Sequence, residues 1–263
     1  ESIIVPPVAA NPTIELQGTG CALSVIDGFA LSGGNNLGVI RPTVNSTDGV
    51  QIRNNHIAGF TGSALFLDKS AIDMTVSRNV MDGSSQTGSG QIVFLDAPDI
   101  FQGFWFSSNW VRNGGTRAGL FVDGNRNVKP SINRSSQITD NLFANNDVGI
   151  NMGSRAFDTG LIAFNTFTNN AFDGLQGGPK DSLIVSNLFT KNGRWGLALT
   201  SFGNTSAGRG ATNDIVVCNT FTQNGIGGPA TGNGGLFFSA AQFAGNNASH
   251  HVNFNNFSLN STG

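Results

Sequence analysis

One short phrase recurs along the chain and leaves few folds open to it. The phrase is Asn, any residue, then an apolar residue. It stands at Asn55-His-Ile, Asn79-Val-Met, Asn109-Trp-Val, Asn141-Leu-Phe, Asn165-Thr-Phe, Asn187-Leu-Phe, Asn219-Thr-Phe and Asn255-Asn-Phe, with steps of 24, 30, 32, 24, 22, 32 and 36 residues. A repeat of this length marks an array of small units, none of which buries its apolar face alone. Before each phrase lies a short alternating run, such as Leu161-Ile-Ala-Phe, Leu183-Ile-Val-Ser or Asp214-Ile-Val-Val. After it most repeats carry a polar turn ending in Gly and a second apolar run, as in Gly119-Leu-Phe-Val, Gly149-Ile-Asn-Met, Gly196-Leu-Ala-Leu and Gly235-Leu-Phe-Phe. Alternating runs this short are strands with one face inward. The unit reads strand, Asn turn, short strand, Gly turn, strand, variable loop. Stacked at about 4.8 Å per coil, such units close a continuous core. The chain is thus predicted to be an all-β, single-domain parallel β-solenoid of about nine coils with three short strands per coil, over residues 12–263, preceded by an extended segment, 1–11.

The columns of this array have physical causes. An inward Asn at the same bend of every coil can bond its own backbone and the amides of neighbouring coils, forming an internal ladder. The Phe two positions later, at Phe143, Phe167, Phe189, Phe221 and Phe257, is expected to stack inside. Glycines at the second bend are expected to supply positive φ. Composition agrees: 36 Gly, 32 Asn and 44 Ser plus Thr disfavour helices, since all four are poor helix formers. Charged residues are 11% and the net charge is -2, which gives no field for nucleic acid or an anionic membrane surface. No apolar run approaches the ~18 residues of a membrane span. Low charge with abundant Asn, Ser and Thr points to an extracellular or cell-surface location, with any signal peptide presumed removed.

These repeats resemble the right-handed parallel β-helix repeats of the pectate-lyase-like superfamily, over roughly residues 12–260. Val25-Ile-Asp-Gly-Phe-Ala-Leu-Ser-Gly-Gly34 is similar to the first recognisable coil of bacterial members. The resemblance implies a right-handed coil. The superfamily holds polysaccharide lyases, hydrolases and epimerases, phage tailspikes, and adhesins without catalysis, so function has to come from the site. Its lyases use an Arg or Lys base beside acidic Ca²⁺ ligands, and the related polygalacturonases use paired Asp. Neither an Asp-Asp pair nor a Gly-His-Gly occurs here, and there is no Tyr for Tyr-dependent alginate chemistry. His56 stands beside the ladder Asn55, and the pair His250-His251 reads as a surface pair rather than a metal site.

One constellation stands out. Leu65-Phe-Leu-Asp68, Phe94-Leu-Asp96 and Leu120-Phe-Val-Asp123 end three consecutive strands in Asp. Alternation turns Phe66, Phe94 and Phe121 outward beside Asp68, Asp96 and Asp123, with Asn151, Gln176, Ala198 and Phe237 at the equivalent outward positions of later coils. Carboxylates about 5 Å apart repel one another and need a cation or basic neighbours. Lys69, Arg126 and Lys129 follow closely and are expected to neutralise them; a Ca²⁺ or sugar site and a catalytic carboxylate pair are the alternatives. The Phe stripe, with Trp105 and Trp110, forms a candidate contact surface for a protein or a sugar ring. Long connections are expected at 41–49, 83–91, 96–104, 123–136, 200–213, 226–234 and 239–250, the places where solenoids carry recognition.

Cys21 and Cys218 lie about seven coils, roughly 35 Å, apart and are too distant to pair. A solenoid exposes unpaired edges at both ends. Ser2, Ile3, Ile4 and Val5 form an apolar segment suited to adding as a strand to a neighbouring copy; the alternative is that Glu1–Asn11 folds back over its own first coil and the last loops cover the C-terminal edge. The resulting reading is a non-catalytic extracellular structural or adhesive protein, with self-association end to end and no resident cofactor. The alternatives are a polysaccharide lyase or hydrolase working beside Asp68, Asp96 and Asp123, and a tailspike-like sugar-binding module.

Overall fold

The computed structural model describes residues 3–4, 11–17, 21–34, 38–42, 48–69, 71–84, 90–97, 101–124, 135–200, 211–226, 233–238 and 249–260. Three parallel sheets of nine, ten and nine strands run along the solenoid. In chain order within a coil they are sheet I (from Val25–Asp27 to His251–Asn253), sheet II (from Ile3–Ile4 to Asn256–Ser258) and sheet III (from Ile14–Leu16 to Gly234–Phe238). Each strand pairs in parallel with its counterparts one coil away, as Leu161–Ala163 does with Gln137–Thr139 and Leu183–Val185. A small side pair joins Ala71–Ile72 to Phe101–Gln102. The chain is a right-handed parallel β-helix with one core, and no α-helix occurs among the described residues.

The Asn column does what a buried amide must. From Asn55 to Asn255, each side-chain Nδ2 donates to the Oδ1 of the Asn one coil on, at 2.9–3.1 Å. The same Oδ1 accepts the previous Asn's backbone N–H, as Asn187 Oδ1 does from Asn165 at 3.0 Å. Nδ2 also reaches back a coil, from Asn187 to the Ile162 carbonyl at 2.9 Å. A second ladder lies five residues further on, at Asn146, Asn170, Asn192, Asn224 and Asn260, with side-chain bonds of 2.8–3.0 Å from Asn170 onward. The Phe column stacks as expected, with Phe143, Phe167, Phe189, Phe221 and Phe257 at centroid separations of 4.7–5.2 Å; the first four are buried and Phe257, in the last coil, is 49% exposed.

Two expectations are corrected. The second-bend glycines do not carry positive φ. Gly196 and Gly235 are needed for space: a Cβ on Gly196 would lie 2.7 Å from both the Gly235 carbonyl oxygen and Phe221 Cδ1, and one on Gly235 would lie 2.7 Å from Phe257 Cδ1. Positive φ falls instead on the residue before each ladder Asn: Asn54, Arg78, Ser108, Asp140, Phe164, Ser186, Cys218 and Phe254, at 52–59°. The second correction concerns the N-terminal segment. Ile3 and Ile4 pair with Ala30 and Leu31 of the same chain and begin sheet II, so their backbone is engaged at home. Ser2 and Val5 lie outside the described residues. Cys21 and Cys218 are both free.

Asn187→Ala strands the Asn165 N–H and the Ile162 carbonyl inside the wall, at about 1–3 kcal/mol for each buried group. A loss of about 2–6 kcal/mol is expected, read as a lower urea midpoint by circular dichroism. Gly196→Ala overpacks the Phe column and is expected to cost about 1–3 kcal/mol in the same measurement.

Candidate functional site

Insertions are not spread evenly around the coil. Sheets I and II are always separated by two residues, from Gly28-Phe29 in the first coil to Phe254-Asn255 in the last. The seven long connections all enter or leave at an end of a sheet III strand. The outward face of sheet III is thus the floor between two loop-bearing borders, which makes it the place to look for recognition.

The floor follows the expected register, although Gln176 and Ala198 are buried in it, at 9% and 1% exposure, rather than open to solvent. Phe66, Phe94, Phe121, Asn151, Gln176, Ala198 and Phe237 are successive partners across sheet III, and Glu15 pairs with Arg41 before them. Phe66 stacks on Phe94 at 4.9 Å and Phe94 on Phe121 at 5.5 Å, so the ring faces are turned to one another and the edges to the groove. Arg41, a residue the sequence reading passed over, sits 5.5 Å from the Phe66 ring and donates from Nη2 to Asp68 Oδ2 at 2.9 Å. Lys69 Nζ is 3.8 Å from the same oxygen. Asp68 is therefore a neutralised carboxylate. Its Oδ1 and Arg41 Nε are buried without a hydrogen-bond partner among the described residues. Asp96 and Asp123 are in register on adjacent strands. Their side chains, and the whole of Arg126 and Lys129, lie outside the described residues.

A second polar cluster, absent from the sequence reading, occupies the other half of the floor. Arg194 donates from Nε to Asp173 Oδ1 at 2.9 Å, from Nη2 to Asp173 Oδ2, and from Nη2 to Gln176 Oε1 at 3.1 Å. The Trp195 N–H donates to Asp173 Oδ1 at 3.0 Å. Phe172 lies beneath the guanidinium at 5.6 Å. The hydrogen bond to Asp173 holds the Arg194 pKa above its usual value. Nearby Asp147 is pushed up, first by burial and then by the Asp173 charge. Asp173 was hard to find because it sits one residue before a bend glycine, where other coils carry Ala118 or Val148.

The two tryptophans lie elsewhere. Trp105 is outward on sheet I and Trp110 outward on sheet II, 45% and 52% exposed, so the contact surface expected from sequence is split over three faces. His56 and His251 are exposed, whereas His250 is turned inward. It ends a column at the bend before sheet I in which a side chain accepts the previous coil's N–H: Ser136 from Phe104, Ser182 from Gly160, Asp214 from Ser182, and His250 Nδ1 from Asp214 at 3.3 Å. The same Nδ1 lies 3.3 Å from Asp214 Oδ2. Burial raises the Asp214 pKa to about 6, against the smaller lowering effects of His250 and the Ser182 N–H. Among the described residues no group of three or more His, Cys, Asp or Glu is placed to hold a metal ion.

No family model and no curated protein matches the chain. Solved structures do. The T265N mutant of the periplasmic alginate epimerase AlgG superimposes with a TM-score of 0.60 at 14% identity, over 89% of this chain and 50% of that one. The AlgG structure without that substitution gives 0.56 at 14%, over 88% and 50%. The A-module of the Azotobacter vinelandii mannuronan C-5 epimerase AlgE4 gives 0.46 at 15%, over 76% and 57%. The chain spans about half the length of the AlgG structures, and at this identity the likeness establishes the shared β-helix fold.

Asp214 sets a pH dependence. Its folded pKa of about 6 exceeds the unfolded value near 4, so the folded chain holds the proton more tightly. That stabilisation is complete below about pH 4 and is lost as pH rises through about 6, on the order of 2–3 kcal/mol. Asp214→Asn keeps an acceptor for the Ser182 N–H and is expected to flatten this slope, measured by urea midpoints from pH 4 to 7. Equal slopes in parent and variant would place the titration elsewhere.

Proposed function

We propose that the chain is a non-catalytic extracellular adhesive protein that holds an extended polysaccharide along the outward face of sheet III. One observation carries this reading: every long connection borders that face, which carries Arg41, the stacked Phe66, Phe94 and Phe121, Asn151 and Arg194. Guanidinium and amide groups suit the hydroxyls and carboxylates of an acidic sugar chain. Arg41 and Arg194 are preorganised by Asp68 and Asp173, which lowers the ordering cost of binding. The alginate-acting neighbour of the same fold makes an acidic polysaccharide the first ligand to try.

A second reading, polysaccharide cleavage beside Asp68, Asp96 and Asp123, with or without Ca²⁺, rests on the register of Asp96 with Asp123.

Calorimetry with alginate and polygalacturonate tests both. Arg41→Ala and Arg194→Ala are each expected to weaken binding at least about tenfold, or about 1.4 kcal/mol. The parent is expected to release no new chain ends. Cleavage that disappears in an Asp68→Asn, Asp96→Asn, Asp123→Asn triple variant would replace the first reading with the second. Failure to bind acidic or neutral polysaccharides would end both.

A further inference from the structure

Two matched outward columns run along the start of sheet I. The first is Trp105, Gln137, Leu161, Leu183 and Ile215, successive partners on the fourth to eighth strands. Trp105 is 45% exposed, Leu183 36% and Ile215 43%. The second column stands two residues earlier, at the corner where the chain arrives from sheet III. It is Ser135, Thr159, Asp181 and Asn213, all exposed and all with φ of 50–64°. The residues between the columns, Ser136, Gly160, Ser182 and Asp214, are buried, so the side chains on either side of them turn outward together. A depression of about 350 Å³ lies there, lined by Leu161 and Leu183 and by Gln137, Ser135, Thr159 and Asp181. No outward residue on these five strands is ionised. The one charge in the corner column, Asp181, accepts from Asn213 Nδ2 at 3.0 Å and pairs with Lys180 at 3.3 Å.

We infer that this strip is a second carbohydrate site, taking an uncharged oligosaccharide laid along the solenoid. From the sixth coil to the eighth, each level sets an aliphatic side chain beside a hydrogen-bonding one: Leu161 by Thr159, Leu183 by Asp181, Ile215 by Asn213. A sugar residue carries the same two surfaces, an apolar face of C–H groups and a rim of hydroxyls that donate and accept. An extended glycan advances about 5 Å per sugar, close to the coil spacing, so the match repeats from coil to coil. Trp105 and Gln137 lengthen the strip to five levels, about 19 Å, which four or five sugars fill. An exposed Trp supplies rigid contact area at low entropic cost. The depression falls at the small end of the range for small-molecule sites, which suits one sugar ring seated at the centre of the strip. Charge selects the ligand further. The strip holds no guanidinium and Asp181 is already neutralised, so neither a uronate nor an ammonium group finds an unpaired ion. An acyl chain would desolvate the polar column without bonding it. The guanidinium groups of sheet III face another side of the coil, so the site stands apart from the proposed groove in both place and ligand.

Calorimetry with cellopentaose, mannopentaose, laminaripentaose and maltopentaose is the test. At least one is expected to bind with a dissociation constant below about 1 mM. Trp105→Ala and Leu183→Asp are each expected to weaken that binding about tenfold or more. Both side chains are outward, so the urea midpoint is expected to stay near that of the parent. Trp110→Ala on sheet II is expected to leave pentaose binding unchanged. Trp105→Ala is expected to leave alginate binding unchanged, which separates this site from the one on sheet III. No binding of any pentaose at about 10 mM would overturn the proposal. So would an affinity that ignores both Trp105→Ala and Leu183→Asp, or pentaose binding that disappears with Arg194→Ala. Pentaose binding that depends on Trp105 in a chain that ignores alginate would end the sheet III reading and leave this one standing.

Discussion

The structure depends on what happens to the backbone polar groups where sheet I turns into sheet II. At that corner the N–H and C=O groups leave the sheet ladder while still inside the wall, where an unpaired group costs about 1–3 kcal/mol. The Asn side chain supplies a donor and an acceptor at once, and its reach matches the coil spacing. Asp lacks the donor and Gln places its amide one methylene too far. Each rung fixes the next, so the bonds from Asn55 to Asn255 form a single column. The column also holds eight non-glycine residues in the left-handed region, each at about 1–2 kcal/mol. This corner tolerates no insertion, and none occurs there. Variation in coil length is pushed to the borders of sheet III, and the location of the candidate groove follows from the chemistry of an amide on the opposite side of the coil.

Inward positions were legible in the sequence because packing forces them to recur. The register of Phe66, Phe94, Phe121, Asn151, Gln176, Ala198 and Phe237 follows from alternation alone and stands in the structure as read. The second Asn ladder was equally visible, five residues after the first in each of the last five coils, but the bend glycines drew the reading away from it. The glycines themselves were found for the wrong reason. Positive φ is the usual explanation of a recurrent bend glycine, yet here the stacked rings leave no room for a Cβ at Gly196 or Gly235. Distinguishing the two needs the third dimension.

The polar groups of the floor were less legible for a different cause. Arg41 belongs to Asp68 across 27 residues, and Arg194 to Asp173 across 21, with loops of unequal length between coils. No local phrase announces such a pair, because each partner sits on a separate coil and only the stacking brings them together. His250 shows the same limit. Beside His251 in sequence it reads as one half of a surface pair, but a strand start turns neighbours to opposite sides, so one ring is exposed and the other meets Asp214.

A solenoid built this way separates its duties cleanly. The inward columns of Asn, Phe and aliphatic residues carry stability, and each coil needs only its neighbours. The outward positions of the three sheets are relieved of that work and differ accordingly. Sheet III carries guanidinium, amides and ring edges between long loops. Sheet I carries Leu161, Leu183, Val185, Ile215 and Val217 on its sixth to eighth strands. Sheet II carries mainly small hydroxyl residues there, Thr166, Thr168, Thr190, Thr220 and Thr222. If outward composition were set by folding alone, the three faces would converge on one pattern, since each is a parallel sheet of short strands at the same spacing. Their divergence on a common scaffold is what solvent, ligand and neighbour impose, and it makes the outward columns, rather than the conspicuous ladders, the part of the repeat in which function is written.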